Sequence, residues 1–333
     1  MQDRVEPLRQ LAAPGFEKCS PRYSLIGLDI GGTKTAVIEG TLQADVVQRL
    51  EFATLPQRGL QATLDELYAT IDRVQALAEQ QGRCVQAVSV SIGGPLDIER
   101  GIIYSPPNLP GWDAVPLKAL LSERFGRPVF VEHDGNAGAL AEWRFGAGQG
   151  ARSLIFLTMG TGLGGGLILD GRLYRGASDM AGEVGHMRIA DDGPVAYGKA
   201  GSWEAFCTGP ALAQMAQETY PARFARAGAA VTTPELVRLA LAGDAEAVEV
   251  VQRVGDYLGR GLAVLVDILN PERIVIGSMA VRLGELLLGP ARIALQREAL
   301  PRAAAVCQVV PAALGERIGD VASLCAAIEA LSA

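Results

Sequence analysis

The sequence predicts an α/β protein made of two related domains, and three observations predict it. Short apolar runs alternate with stretches of helical periodicity along the chain. Its 333 residues exceed the usual size of a single core. One pattern also occurs twice: Leu25-Ile26-Gly27-Leu28-Asp29-Ile30-Gly31-Gly32-Thr33 can be laid on Leu154-Ile155-Phe156-Leu157-Thr158-Met159-Gly160-Thr161-Gly162. In both copies an apolar strand runs through a polar residue into a glycine turn that carries a threonine. In both, a second apolar strand then ends in an acidic residue and a glycine, Glu39-Gly40 and Asp170-Gly171. Self-similarity at this distance fits two related domains better than a solenoid. Two such hairpins facing one cleft would hold a phosphate chain from both sides.

The elements follow in order. Residues 25–30 and 35–38 read as strands around Gly31-Gly32. Leu64, Leu67, Ile71, Val74 and Leu77 fall on one face of a helix, which Gly82 closes. Residues 85–92 and 129–132 read as buried strands, and 135–145 as a helix. A second cycle opens with a strand over 154–158. Val248, Val251, Val254, Leu258, Leu262, Leu265 and Leu269 mark a long amphipathic helix that ends at Asn270-Pro271. Arg273–Ile276 follows as a strand and meets Gly277. The expected division is an extension over 1–22, a small domain over 23–134 and a larger one over 135–317. A last helix, about 318–333, is expected to pack back on the small domain.

Composition removes several function classes. A net charge of −7 argues against a nucleic-acid surface, which needs a basic face. The five cysteines are scattered, without C-x-x-C spacing, so reduced thiols are expected rather than a disulfide framework. The first 20 residues mix Asp3, Arg4, Glu6 and Arg9 and contain no apolar core of a signal peptide. The apolar run over 262–269 is broken by Asp267 and is too short to span a bilayer. The expectation is a soluble, cytoplasmic protein with no membrane partner.

The glycine loops point to phosphate. Without a Cβ, backbone N–H groups approach phosphate oxygens closely. Asp29-x-Gly31-Gly32-Thr33-Lys34 and Gly160-Thr161-Gly162-x-Gly164-Gly165-Gly166 both have that character, although tight hairpin turns share the composition. Gly160-x-Gly162-x-x-Gly165 formally fits a dinucleotide fingerprint, but that fingerprint must open a helix. Here Leu167-Ile168-Leu169 and Asp170-Gly171 read as a hairpin strand and turn. The glycine spacing of a Walker A loop is missing before Lys34. Asp29, at a strand end beside the first loop, suits a Mg²⁺ held through water, or a turn cap.

Polar side chains cluster on the acceptor side. Both histidines, His133 and His186, have carboxylates close in sequence: Glu132 and Asp134 flank the first, and Glu183 precedes the second by three residues. Asp134 falls near the start of the helix over 135–145, where the helix dipole favours negative charge. Hydroxyls are weak acids, so a base there would orient an acceptor hydroxyl and take its proton late in a phosphoryl transfer. An N-cap role fits the same position. Glu183, His186 and Glu204 offer acceptors and a donor for vicinal hydroxyls, and Asn108 on the loop Ser105-Pro106-Pro107-Asn108-Leu109 offers another contact.

Together these segments resemble the ROK family (repressors, open reading frames and kinases) of the actin-like sugar-kinase superfamily. Five stretches carry the resemblance: residues 29–34, 105–112, 132–148, 158–171 and 181–186, in that order and spacing. It implies two actin-like, ribonuclease H-like α/β domains closing over a central cleft, with ATP, Mg²⁺ and transfer to a sugar hydroxyl. It places Asp134 on the catalytic aspartate, and Glu183, His186 and Glu204 on sugar-binding positions. Gly31, Gly32, Thr33, Lys34, Thr161 and Gly162 fall on phosphate loops, with Asp29 and Gly277 assigned to the same ATP and Mg²⁺ side. A homodimer is expected by the same analogy.

Two departures qualify the resemblance. The family's zinc segment, C-x-C-G-x-x-G-C-x-E, aligns with residues 195–204, where Val195, Tyr197 and Ser202 replace the cysteines. Without thiolates no four-ligand structural zinc is expected, and Tyr197 becomes the candidate partner that fixes the His186 tautomer. His133 stands where the family has asparagine before the base, which leaves the sugar open. A glucokinase-like hexose kinase is expected, with N-acetylmannosamine, N-acetylglucosamine and fructose as alternative acceptors and polyphosphate as an alternative donor. A non-catalytic sugar sensor and an oxidoreductase are the competing classes. A DNA-binding repressor is not expected, because 24 residues before Leu25 are few for a helix-turn-helix domain.

Overall fold

The computed structural model describes residues 23–226 and 229–332, so the extension over 1–22 lies outside the described residues. Two five-stranded sheets share one topology. In the first, β1 (Tyr23–Ile30) pairs antiparallel with β2 (Lys34–Gly40), and β2 with β3 (Val46–Ala53). On its other side β1 runs parallel to β4 (Cys84–Ile92), which runs parallel to β5 (Val129–His133). In the second sheet, β6 (Leu154–Met159), β7 (Leu163–Leu169) and β8 (Arg172–Tyr174) form the antiparallel half. There β6 runs parallel to β9 (Arg273–Ile276), and β9 to β10 (Gln308–Pro311). The orders β3-β2-β1-β4-β5 and β8-β7-β6-β9-β10 are therefore the same. The repeat seen in the sequence is the first hairpin of each copy, β1–β2 and β6–β7.

Each sheet has its own core. The helix α1 (Leu60–Gln80) buries Leu64, Leu67, Ile71 and Val74 against the first sheet. Gly82, at φ +73°, gives its N–H to the Glu79 carbonyl and ends it. Between β4 and β5 lies a second helix, α2 (Leu117–Phe125), and α3 (Asp134–Phe145) leads from β5 into the second sheet. The helices α4 (Gly209–Thr219), α5 (Thr233–Leu241), α6 (Ala245–Leu269) and α7 (Glu285–Glu298) cover that sheet. Along α6, Val251, Val254, Leu258, Leu262 and Leu265 are buried, while Val248 and Leu269 are only partly covered at its ends. Asn270 adopts φ 44° at its C-cap, a left-handed conformation asparagine tolerates.

A third core joins the two halves. The last helix, α8 (Ile318–Ser332), buries every residue from Val321 to Ile328 between α3 and the first sheet. The small residues Ala137, Gly138, Ala139 and Ala141 let α3 lie close to Phe156 and Ile168 of the second sheet. Glu142 of α3 is buried, and its carboxylate accepts from the amides of Ala147, Ala313 and Leu314 at 2.7, 3.1 and 2.9 Å. It thereby ties the end of α3 to the segment that enters α8. Among the described residues no helix is long and apolar enough to cross a membrane.

Candidate active site

Strand register builds the site. Ile30 pairs with Ile92, and Ile92 with His133, so β1, β4 and β5 end level with one another. Their next residues are Gly31, Gly93 and Asp134, which leave the carboxyl edge of the sheet together. Ligands of open α/β sheets bind at this edge.

The helix cap is His133, not Asp134. The His133 side chain accepts from the Gly135 amide through Nδ1 at 3.3 Å, with its backbone extended at φ −64° and ψ 139°. The imidazole hydrogen then belongs on Nε2, which lies 3.8 Å from Glu183 Oε1. Asp134 is the first helical residue; its Oδ1 also takes the Gly135 N–H, at 2.7 Å, while the side chain stays 55% exposed. The sequence left base and cap as alternatives for Asp134. With His133 as the cap, the Asp134 carboxylate remains open to the cleft.

Asp29 is the opposite case. Burial first, then the negative charges of Asp134 and Asp320, raise its pKa from 3.8 to about 6, against the partial relief of Lys34 and Arg49. No donor among the described residues bonds its carboxylate. A desolvated carboxylate without a donor fits a cation, and a hydrated Mg²⁺ suits it. Lys34 does not reach into the loop: it pairs with Glu51 at 3.3 Å, and Glu51 in turn with Arg49 at 2.5 Å and Arg49 with Asp320 at 2.9 Å.

The two glycine loops match in their open amides as well as in sequence. In each, the first glycine closes the turn: Gly31 donates to Lys34 O at 3.1 Å and Gly160 to Gly162 O at 3.0 Å. The next two amides, of Gly32 and Thr33 and of Thr161 and Gly162, donate to no acceptor among the described residues. Four free N–H groups on two hairpins fit an oligophosphate. The amide of Gly209, which opens α4, donates to Gly160 O at 2.8 Å, and Ser278, next to Gly277, adopts φ 52° beside Gly160. The sequence assigned Gly277 to this side and gave no signal for the Thr208-Gly209 start of α4.

The glycine run over 164–166 has a different role from 160–162. These residues lie inside β7. A Cβ on Gly166 would stand 2.4 Å from Gly135 O and 2.7 Å from Ala139 Cβ, and one on Gly135 would stand 2.5 Å from Gly165 O. Their bareness lets the first turn of α3, and Asp134 with it, seat directly on the second sheet. Gly166→Val is therefore expected to lower stability by about 1–3 kcal/mol, read by thermal denaturation, and to lower turnover by displacing Asp134.

The sugar-side candidates converge from three segments. Glu183 precedes the short 3₁₀ turn Val184–His186. Glu204 Oε2 accepts the Leu163 amide at 2.9 Å, directly after the second glycine loop; burial, and then the nearby Glu204 carboxylate, hold the Tyr197 phenol well above its usual range. Tyr197 does not bond a ring nitrogen of His186, as the sequence suggested. It stacks on the ring, centroids 3.5 Å apart and planes at 19°, and Lys199 donates to the His186 carbonyl. The 195–200 hairpin, with Val195 and Tyr197 at cysteine positions, is thus fastened by stacking and a lysine, with Ser202 buried below it. Among the described residues no group of three or more metal-ligating side chains forms. Asn108 is placed against the first glycine loop: a Cβ on Gly32 would meet its carbonyl oxygen at 2.6 Å.

Two contributors escaped sequence reasoning. Gly93-Gly94 lies against His133 and Asp134, since a Cβ on Gly93 would stand 3.8 Å from Asp134 Oδ2 and one on Gly94 3.0 Å from the His133 ring. Arg175, after β8, binds the buried Glu132 next to His133 at 2.9 and 2.6 Å.

Two actin-like domains of one topology, with paired glycine loops and a carboxylate at the helix start between them, define a known class. The ROK family model matches residues 25–326, and the chain belongs to the ROK family. The glucokinase of Halalkalibacterium halodurans is 32% identical over 307 residues, 89% of this chain and 92% of that protein. A Streptomyces griseus ROK glucokinase solved with glucose and AMPPNP is 32% identical, with TM-score 0.74 over 90% of this chain and 97% of that one. The xylose repressor of Caldicellulosiruptor bescii is 30% identical over 80% of this chain and 68% of that protein.

Proposed function

We propose that the protein transfers the γ-phosphoryl group of ATP to a hydroxyl of a hexose, with glucose the first candidate. The observation that carries this reading is the Asp134 carboxylate, 55% exposed, with Oδ1 on the Gly135 amide and no partner on Oδ2 among the described residues, beside two loops with matched open amides. Gly32, Thr33, Thr161 and Gly162 would hold the phosphates, and Asp29 a Mg²⁺ through water. The bound ion would neutralise charge on the β- and γ-phosphates.

Asp134 orients the acceptor hydroxyl. As the sugar oxygen bonds to the γ-phosphorus and the bridge to ADP breaks, Asp134 takes the hydroxyl proton. Hydroxyls next to the reacting one face Nε2 of His133 and the carboxylates of Glu183 and Glu204. A sugar lacking a matching hydroxyl leaves these groups unpaired, which costs affinity. Glu204 links both halves of the reaction, since it also holds Leu163 at the edge of the second loop. Support for a hexose comes from the glucokinase relatives.

A sugar sensor without catalysis is the second reading, favoured by the xylose repressor likeness. A panel of sugars in an ADP-release assay separates the two. Release is expected with glucose above mannose, fructose and the N-acetylated hexosamines. Saturable sugar binding without ADP release across the panel would favour the sensor. Polyphosphate in place of ATP tests the donor in the same assay.

A further inference from the structure

We infer that Arg175 is a positioning residue for phosphoryl transfer, acting through Glu132 to hold the base and the sugar-binding loop as one unit. The inference rests on the kinase reading above.

Glu132 is 1% exposed at the end of β5, a poor place for a carboxylate unless it is fully bonded. Four donors meet it. Its Oε2 takes Nε and Nη2 of Arg175 at 2.9 and 2.6 Å. Its Oε1 takes Asn136 Nδ2 at 2.9 Å and the His133 amide at 3.1 Å. His133 and Asn136 bracket Asp134 in the chain, so one carboxylate fixes the residues on either side of the base. The arginine comes from the other domain.

Arg175 also shapes its own loop. Its carbonyl accepts the Ala181 amide at 3.0 Å, which closes the segment over 175–181. Asp179 in that segment accepts the Ile98 amide of the first domain at 3.3 Å. Gly182 follows at φ +100°, where a Cβ would stand 2.3 Å from Gly165 O, and Glu183 comes next. The ion pair therefore ties the segment that carries Asp134 to the loop that carries Glu183. A guanidinium suits this task because two of its N–H groups lie in a fixed plane, whereas a lysine offers a single mobile charge.

The test compares Arg175→Met, Arg175→Lys, Glu132→Gln and the double variant Glu132→Gln/Arg175→Met in the full chain. Turnover at saturating sugar is expected to fall about 10–100-fold in Arg175→Met, the range for partners that orient a reacting group. The KM for ATP should stay within about two-fold, because the glycine loops are untouched. Arg175→Lys should recover part of the turnover, and the double variant should lose little more than the worse single one. Loss of stability alone would lower active protein without this split between turnover and KM, and melting curves on each variant measure it separately. A folded Arg175→Met and a folded Arg175→Lys that both keep turnover within about two-fold of wild type would overturn the inference. So would losses that multiply in the double variant. A wild type that phosphorylates no sugar would instead end the kinase reading and this role with it.

Discussion

Asp134→Asn is expected to lower sugar phosphorylation by at least about 10²–10⁴-fold, the usual contribution of a positioned base. Asparagine keeps the shape and can still take the Gly135 N–H that Oδ1 now accepts. It cannot take the sugar proton. Because His133 and not Asp134 caps α3, the helix should lose little stability. Glucose affinity, measured by calorimetry, should change only a few-fold. A variant that retains turnover within about ten-fold would show that another group accepts the proton.

Asp29→Asn is expected to act on activity and stability in opposite directions. Activity should fall about 10²–10³-fold, through loss of charge stabilisation at the phosphates. Stability of the ligand-free protein should rise. The folded pKa, about 6, lies above the ordinary 3.8, so folding favours the protonated form. The folded state binds more protons across that interval, and stability is lost as pH climbs from about 4 to about 6. The full cost is present above pH 6 and amounts to about 3 kcal/mol at ~1.4 kcal/mol per pH unit. Asparagine is neutral throughout and should remove it. Melting curves at pH 5 and pH 7.5 check this: wild type should lose stability between them relative to the variant. An equal pH response in both would mean that Asp29 is not held charged and desolvated.

These two aspartates show how much of the molecule was legible in its sequence. The strands β1, β2, β4, β5, β6, β7 and β9 and the helices α1, α3 and α6 were readable because buried apolar residues set their periods. The duplication was readable because each hairpin spends the same residues on the same turn. The edge strand β3 was not: its faces alternate from Val47 onward, but Gln48 sits on the covered face while Val47 and Ala53 sit on the exposed one, which blurs the pattern in the sequence. Nor could composition separate Gly160 and Gly162, beside open amides, from Gly165 and Gly166, which admit a helix. Both uses require a missing Cβ, and only the neighbour that fills the space differs.

Long-range pairs were the other blind spot. Glu132 and Arg175 lie 43 residues apart and meet across the two domains. The His133 cap was hidden because its Nδ1 does what a serine or aspartate oxygen usually does. Tyr197 was read as a hydrogen-bonding partner of His186 because loss of the cysteines leaves a gap there. The ring filled it by stacking on the His186 ring.

The most direct test of the account is transfer of label from [γ-³²P]ATP to glucose by the wild-type protein with Mg²⁺. The account predicts labelled hexose phosphate formed in step with ADP, and its disappearance in Asp134→Asn. Label that stays in ATP, or appears only as inorganic phosphate across the sugar panel, would contradict it.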